Sequence, residues 1–300
     1  MLPFLWPSPE AGAMAVDQSD VTIIIPAYNE RDAIGAVVQD LKAALPGAEI
    51  IVVNDGSTDE TEERARIAGA HIIRHDSRLG YGAALKSGIA RSSRAYVLFC
   101  DGDGQHSIDD VRRLIEACDG YDMVVGARTA ESHTPFLRKP GKLILKWFAN
   151  FIAGVNIPDL NSGLRILKRD VLVRYLHLMP LGFSFSTTST FAMLKANRRF
   201  KFIPITTGKR VGSSTVRQLR HGPVTLMLML RIMVLFEPLK VFLSVALGLL
   251  IASLISLSID LHHRGGLADT TVLLAISCLI IFMFGLLCDQ VSALRRELHN

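Results

Sequence analysis

Short apolar runs alternate with amphipathic stretches over the first two thirds of the chain. Val21-Thr22-Ile23-Ile24-Ile25 is a continuous β-branched run stopped by Pro26, the pattern of a strand buried on both faces. Ala27 to Glu30 reads as a loop, and Arg31 to Leu45 as a helix with Ile34, Val37, Val38 and Leu41 on one stripe. A second strand, Glu49 to Val53, closes on Asn54-Asp55-Gly56-Ser57-Thr58-Asp59. Ser57 or Asp59 can cap the helix that runs to Ala68, with Glu60, Glu62 and Glu63 in its first turn. His71 to Ile73 is a third short strand, and Leu79 to Ala84 opens another helix. Ala95 to Phe99, Asp122 to Val125 and Lys201 to Ile205 are further strands. Strands and helices alternating at this spacing predict an α/β fold around a doubly wound, mostly parallel sheet. Ligands of such sheets sit beyond the carboxyl ends of the strands. Tyr28, Asn29, Asp55, Asp101 and Asp103 all fall at those ends, so one cleft collects them.

The pattern changes twice further on. From Arg138 to Pro158, Leu143, Ile144, Leu145, Trp147, Phe148, Phe151 and Ile152 are interleaved with Arg138, Lys139, Lys142 and Lys146. This reads as a segment lying in a membrane interface; an amphipathic helix packed on the sheet gives a similar stripe. After the basic cluster Lys209, Arg210, Arg217, Arg220 come two uninterrupted apolar runs, Val241 to Ile259 and Thr270 to Cys288. Each matches the roughly 20 residues of a bilayer-spanning helix. Arg217, Arg220 and Arg231 precede the first run and Arg295 and Arg296 follow the second, while the connecting loop holds one Arg. The positive-inside bias then puts the N-terminal domain and the C-terminus in the cytoplasm, in a multi-pass protein of the cell (inner) membrane. The expected organisation is a disordered leader (1–20), a globular domain (21–215), juxtamembrane amphipathic helices (216–240), two transmembrane helices (241–290) and a cytoplasmic tail (291–300).

Composition sharpens this. Apolar residues make up 49% of the 300 residues, and the excess is concentrated after His221. A net charge of +5 is too small and dispersed to suggest nucleic acid; a basic membrane-facing surface fits better. The four cysteines form no CxxC, so neither a disulfide framework nor a zinc site is indicated. Met1 to Asp20 has three prolines and no Lys or Arg, unlike a secretory signal, and Met14 is a candidate start.

Cys100-Asp101-Gly102-Asp103-Gly104-Gln105-His106 carries the strongest chemical signal. No Lys or Arg lies between Ala95 and Asp110, so nothing nearby in sequence neutralises the two carboxylates. With the Gln105 amide oxygen and the His106 imidazole they form a set suited to a hard divalent cation, Mg²⁺ or Mn²⁺. An Asp-Gly turn closing the strand explains the same residues.

Pro26-Ala27-Tyr28-Asn29-Glu30, Asn54-Asp55-Gly56-Ser57 and Asp101-Gly102-Asp103-Gly104-Gln105-His106 together resemble family 2 glycosyltransferases of the GT-A fold. Gly126-Ala127-Arg128, and Asn161-Ser162-Gly163-Leu164-Arg165 with Asp159 shortly before, resemble the polyprenyl-phosphate hexose synthases within it, such as dolichyl-phosphate mannosyltransferases and bacterial undecaprenyl-phosphate relatives. The resemblance spans about Val21 to Thr215 and implies roles residue by residue. Asp55 would bond the nucleobase, with Pro26, Ala27, Tyr28 and Glu30 lining the nucleoside pocket. Asp103 and Gln105 would hold the cation, with Asp101 on metal, ribose or sugar. Arg128 and Arg165 would clamp phosphates, for which a planar guanidinium is well matched, and Ser162 would meet the acceptor phosphate. Surface ion pairs are the plainer use of such arginines. The implied partners are a nucleotide-sugar donor of the GDP-mannose or UDP-glucose type, a polyprenyl-phosphate lipid and a membrane. A homo-oligomer stays open.

Two departures stand out. Asn54 replaces the first of two common aspartates, and Thr215 stands where the family has a Lys after G-x-S, leaving Lys209, Arg210 or Arg217 to supply that charge. The Q-x-x-R-W signature and base of processive synthases are missing. A sugar hydroxyl needs a base as it attacks, whereas a lipid phosphate is already anionic. The expected reaction is therefore inverting transfer of one hexose to polyprenyl phosphate. The alternatives are nonprocessive transfer to a lipid hydroxyl such as diacylglycerol, and a membrane-tethered nucleotide-sugar-binding regulator.

Overall fold

The computed structural model describes residues 16–128, 157–182, 184–208, 234, 237–263 and 266–297. The chain divides into two units, residues 1–219 and 220–300. The leader up to residue 15, nearly all of the interfacial segment 138–158, Lys209, Arg210 and residues 211–233 lie outside the described residues.

In the first unit, seven strands form one sheet: β1 (Val21–Ala27), β2 (Glu49–Asn54), β3 (His71–Arg74), β4 (Tyr96–Phe99), β5 (Met123–Arg128), β6 (Arg165–Lys168) and β7 (Phe200–Ile205). Their order is β3-β2-β1-β4-β6-β5-β7. β1 pairs in parallel with β2 and β4, β2 with β3, and β5 with β7. The mostly parallel, doubly wound sheet expected from the sequence is present, with one reversed strand inserted. β6 runs antiparallel to both β4 and β5. Phe99 at the end of β4 pairs with Arg165 at the start of β6. The reversal thereby brings the run-in to β6, Asp159 to Leu164, beside the run-out of β4 that holds Asp101 and Asp103.

Ile23, Ile25, Val52, Leu98, Val124 and Ile166 of the sheet pack with Ile34, Val38 and Leu41 of α1 (Ile34–Ala44). Fully burying each such side chain contributes about 1.5–3 kcal/mol, so the sheet is a rigid platform and the loops at its edge carry the variable chemistry. Pro26 does not end β1 but lies within it, opposite Val53. Pairing with β4 stops at Ile24 and Phe99, and alternate residues of a strand point their backbone groups the same way. The N–H that Pro26 lacks thus falls where β4 has already ended.

Among the described residues five more α-helices precede β7: α2 (Thr61–Ile67), α3 (Tyr81–Arg91), α4 (Ile108–Glu116), α5 (Arg169–Tyr175) and α6 (Phe185–Lys195). The N-cap of α2 is Glu60, which makes no side-chain cap bond, and neither Ser57 nor Asp59 takes that position; Asp59, one residue earlier, accepts the Thr61 N–H on its Oδ1 at 3.0 Å. Residues Phe185 to Met193 of α6 are all buried, including the run Ser186 to Thr190, so this helix has no polar face for a periodicity to show.

The second unit holds α7 (Pro238–His263) and α8 (Asp269–Glu297). Both are long and apolar enough to cross a membrane, with an 18-residue stretch of mean hydropathy 2.4 within Pro238–His262 and one of 2.7 within Asp269–Leu294, and they contain the two runs expected. Leu247, Leu254, Ile276, Leu279 and Leu287 are among the many large apolar side chains they expose. The Phe242 and Phe284 rings meet edge to face at 5.8 Å. Buried Asp260 accepts from the Ala268 N–H at 2.9 Å and the Thr271 hydroxyl at 2.6 Å, fastening the turn between the helices.

Candidate active site

The loops after β1 and β2 are stitched together by short polar side chains. Asn29 adopts a left-handed conformation (φ +55°), which Asn tolerates better than most residues. Its N–H donates to Ser57 Oγ at 3.0 Å, and its Oδ1 accepts from the Thr58 N–H at 2.9 Å. The Glu30 N–H donates to Thr61 Oγ1 at 2.8 Å. Asn54 accepts from the Ser57 N–H and donates to Glu62, both at 2.9 Å. The amide at this position has both a donor and an acceptor in use, and an aspartate could not donate to Glu62.

Asp55 follows on the same loop and is buried. The backbone N–H groups of Leu79 and Gly80 donate to its Oδ1 and Oδ2 at 2.9 and 2.8 Å, and His75 Nδ1 lies 2.8 Å from Oδ1. Gly80 has φ +109°, and a Cβ there would stand 2.8 Å from the Leu181 carbonyl oxygen. Across the cleft the Arg78 guanidinium stacks on the Tyr28 ring, 4.1 Å from its centroid, a cation–π contact.

At the end of β4, Asp101 and Asp103 come two residues apart. Asp103 is buried, and its Oδ1 accepts from the Gln105 N–H at 3.1 Å. The Tyr81 hydroxyl lies 3.4 Å from Asp101 Oδ1, and His106 Nε2 lies 3.5 Å from Oδ2, within ion-pair reach. Burial works to raise the Asp101 carboxyl; neighbouring His106 and the Tyr81 hydroxyl more than offset it, and the net shift is downward. Burial pushes the Tyr81 phenol well up. Gly163 faces this carboxylate so closely that a Cβ would stand 2.5 Å from Asp101 Oδ2. Gln105 turns the other way, its Nε2 donating to the Gly208 carbonyl at 3.1 Å. The Gly208 N–H returns a bond to the Gln105 carbonyl at 2.9 Å, and His106 forms a single antiparallel bridge with Thr207. The chain after β7 is thereby tied beside the Asp101–Asp103 turn.

Both predicted phosphate-clamping arginines have other partners. Arg128 forks onto Asp159, Nε to Oδ2 at 2.7 Å and Nη2 to Oδ1 at 3.0 Å. Arg165 is 0% exposed. Its Nη2 donates to the Ser162 carbonyl at 2.6 Å, and its Nη1 to the Ser186 carbonyl, Ser189 Oγ and Thr190 Oγ1 at 2.7, 2.8 and 3.1 Å. Burial pushes its guanidinium down to about 10. The Ser162 hydroxyl is buried and has no hydrogen-bond partner among the described residues.

One cleft at the carboxyl ends of the strands is lined by Pro26, Ala27, Tyr28, Glu30, Asp55, Asp101 and Asp103, all singled out in the sequence. Gln105, Arg128, Ser162 and Arg165 are not part of that lining. Arg78, Tyr81, Asn161 and Ser186, to which the sequence assigned no side-chain role, do line the cleft. Arg78 was open to discovery, because it follows the third predicted strand and the strand-end rule applies to it. Ser186 was not, because it enters from a helix without amphipathic signal.

The donor chemistry fits a hard divalent cation. Asp101 and Asp103 line the same cleft, and Gly163 keeps the space before Asp101 clear. Among the described residues no group of three or more His, Cys, Asp or Glu surrounds a cation position. Two carboxylates completed by phosphate oxygens and water is a mode in which Mg²⁺ is commonly held.

This fold and cleft agree with the comparisons. Residues 22–176 match glycosyl transferase family 2, and residues 237–294 match the GtrB C-terminal hairpin. A glycosyltransferase AglJ of Haloferax volcanii is 30% identical over 295 residues, covering 92% of this chain and 95% of its own. A dolichyl-phosphate hexose transferase of the same organism is 32% identical over 51% of this chain and 68% of its own. An undecaprenyl-phosphate mannosyltransferase of Micrococcus luteus is 27% identical over 67% of this chain and 93% of its own. Glucosyl-3-phosphoglycerate synthase of Mycobacterium tuberculosis, solved with Mn²⁺, uridine diphosphate and phosphoglyceric acid, shares the fold: TM-score 0.58 and 17% identity over 76% of this chain and 84% of that one. The chain belongs to glycosyl transferase family 2. It is a GT-A glycosyltransferase that carries a membrane-capable helical hairpin.

Proposed function

We propose that the enzyme transfers a single hexose, with inversion, from a nucleotide sugar to polyprenyl phosphate at the cytoplasmic face of a membrane. The observation that carries this reading is the pairing of Asp101 and Asp103 in a cleft whose other half is built from Tyr28 and Asp55, in one chain with two membrane-capable helices. Relatives named for dolichyl-phosphate and undecaprenyl-phosphate transfer support the acceptor class. The synthase solved with Mn²⁺ and uridine diphosphate supports a cation and a nucleotide donor.

Asp101 and Asp103, with Gln105 as a further candidate ligand, would hold Mg²⁺ or Mn²⁺, which when bound neutralises charge on a departing nucleoside diphosphate. Pro26, Ala27, Tyr28, Glu30 and Asp55 hold the nucleoside. Arg128, on turning from Asp159, would add charge at the phosphates, and buried Arg165 would act through Ser186, which lines the cleft and whose carbonyl it holds. Ser162, Lys209 and Arg210 are assigned to the acceptor phosphate. An oxygen of that phosphate attacks the anomeric carbon from the side opposite the leaving group. The new C–O bond forms as the bond to the diphosphate breaks, and its electron pair leaves with the nucleoside diphosphate. The attacking oxygen is anionic near neutral pH, so no side chain has to take its proton. Arg217, Arg220, Arg231, Arg295 and Arg296, against one Arg in the hairpin loop, support the cytoplasmic orientation.

The test is a donor and acceptor screen with the purified full chain. Labelled GDP-mannose and UDP-glucose are offered with polyprenyl phosphate and, separately, with diacylglycerol. A labelled lipid formed only with polyprenyl phosphate, and cleaved by mild acid, is expected. An acid-stable product formed only with diacylglycerol, or donor binding without turnover on any acceptor, would overturn the reading.

A further inference from the structure

Asp55 is held by N–H groups from three directions, and one of them leads away from the cleft. Leu79 and Gly80 supply backbone donors at 2.9 and 2.8 Å. His75 Nδ1 lies 2.8 Å from Oδ1, and on the far edge of the same ring Nε2 lies 2.8 Å from Ser87 Oγ. The His75 and Asp55 side chains are only 8% and 6% exposed, so water does not compete for these contacts. An ionised carboxylate only accepts, so Nδ1 carries the ring proton. In the neutral imidazole Nε2 then accepts from the Ser87 hydroxyl, which fixes the tautomer.

The chain topology explains why these groups meet. His75 is the first residue after β3, and its N–H donates to the Asn54 carbonyl at 2.9 Å, one strand across. Ser87 lies on α3 one turn beyond Ala84, which lines the cleft. The imidazole bridges this helix to the carboxylate, with each of its nitrogens committed.

We propose that His75 is a positioning residue for donor recognition. Together with the Leu79 and Gly80 N–H groups it locks Asp55 as a pure hydrogen-bond acceptor facing the donor's base. The nucleotide half of the cleft then selects bases that present a ring N–H there, as uracil and guanine do. Cytosine and adenine present a ring-nitrogen acceptor instead, which leaves a buried acceptor facing an acceptor, an arrangement such sites reject strongly. The proposal rests on the reading that Asp55 faces the base.

Three variants separate the two contacts of the ring. His75→Asn keeps an amide N–H near the position of Nδ1 and loses Ser87. His75→Gln reaches toward Ser87 and loses Asp55. His75→Ala loses both. UDP, GDP, CDP and ADP are titrated into the full-length detergent-solubilised protein with Mn²⁺ present, and the unfolding midpoint of each variant is recorded. The unaltered protein should prefer UDP or GDP over CDP and ADP. That preferred nucleotide should bind about tenfold more weakly to the Ala and Gln variants, the loss of one bond to a charged group, and near normally to the Asn variant. Equal affinity in the Asn and Gln variants, or no preference for UDP or GDP, would overturn the proposal, as would losses that merely track the unfolding midpoint. Asp55→Ala separates the two levels. If it binds the preferred nucleotide normally, the base-contact reading fails; if it binds weakly while every His75 variant binds normally, only the role of His75 fails.

Discussion

Arg128 and Asp159 close a two-pronged ion pair, Nε to Oδ2 at 2.7 Å and Nη2 to Oδ1 at 3.0 Å, with the Arg128 backbone N–H adding a third contact at 3.3 Å. One partner ends β5 and the other lies on the run-in to β6, so the pair ties these two segments together. Burial works to raise the Asp159 carboxyl, but Arg128 overcomes it and holds the group below the usual carboxylate range. A carboxyl lowered by folding adds stability that is present above its unfolded value and is lost as pH falls through its folded one. Asp159→Asn is therefore expected to cost about 1 kcal/mol near neutral pH, since Arg128 is partly exposed. It should also flatten the acid limb of a stability-versus-pH curve, and chemical denaturation at several pH values measures both.

Gly163 leaves no room for a side chain. Because a Cβ would stand 2.5 and 2.8 Å from the two Asp101 carboxylate oxygens, Gly163→Ala has to displace that carboxylate. With Asp101 in the proposed cation site, a shift of this size is expected to lower turnover by about 100-fold. Transfer assays beside circular dichroism should show the rate falling with the fold retained.

Arg165 is a buried strut more than a surface clamp. Its guanidinium joins the Ser162 loop to α6 through neutral acceptors alone. Arg165→Lys cannot reach them all with one ammonium, and leaves buried carbonyls without donors. A loss of about 3 kcal/mol in unfolding free energy is expected. A variant as stable as the parent, with only donor affinity reduced, would return Arg165 to direct phosphate binding.

The hairpin packs closely at Gly285, where a Cβ would stand 2.5 Å from the Phe242 Cβ. Gly285→Leu should separate α7 from α8 and speed proteolysis within 237–297 in detergent. The parent chain should remain with membranes through an alkaline wash and leave them only with detergent.

The legible parts of this molecule were those whose own residues carry the physics. The β-branched run Val21 to Ile25 reads as a buried strand because nothing else buries so many branched side chains in five positions. Tyr28, Asp55, Asp101 and Asp103 fall together because each ends a parallel strand. β6 was hidden because Arg165-Ile166-Leu167-Lys168 is short and bounded by charge, and gains its ladder only between β4 and β5. The hydroxyl run of α6 was hidden because a helix buried all round has no periodicity. Asp159, which pairs with Arg128, and the Ser186, Ser189 and Thr190 partners of Arg165 lie 21 to 31 residues off in sequence, so the motif named the arginines without saying what they hold. Pro26 misled for a related reason: whether a missing N–H matters depends on where the neighbouring strand stops.

The most direct test of the account is Asp103→Asn. Mn²⁺ binding is followed by electron paramagnetic resonance with nucleoside diphosphate present, and hexose transfer to polyprenyl phosphate is measured on the same preparation. The account predicts that cation binding and transfer are lost together while the unfolding midpoint stays near that of the parent. A folded variant that still transfers at the parent rate, or a parent enzyme indifferent to chelators, would contradict it.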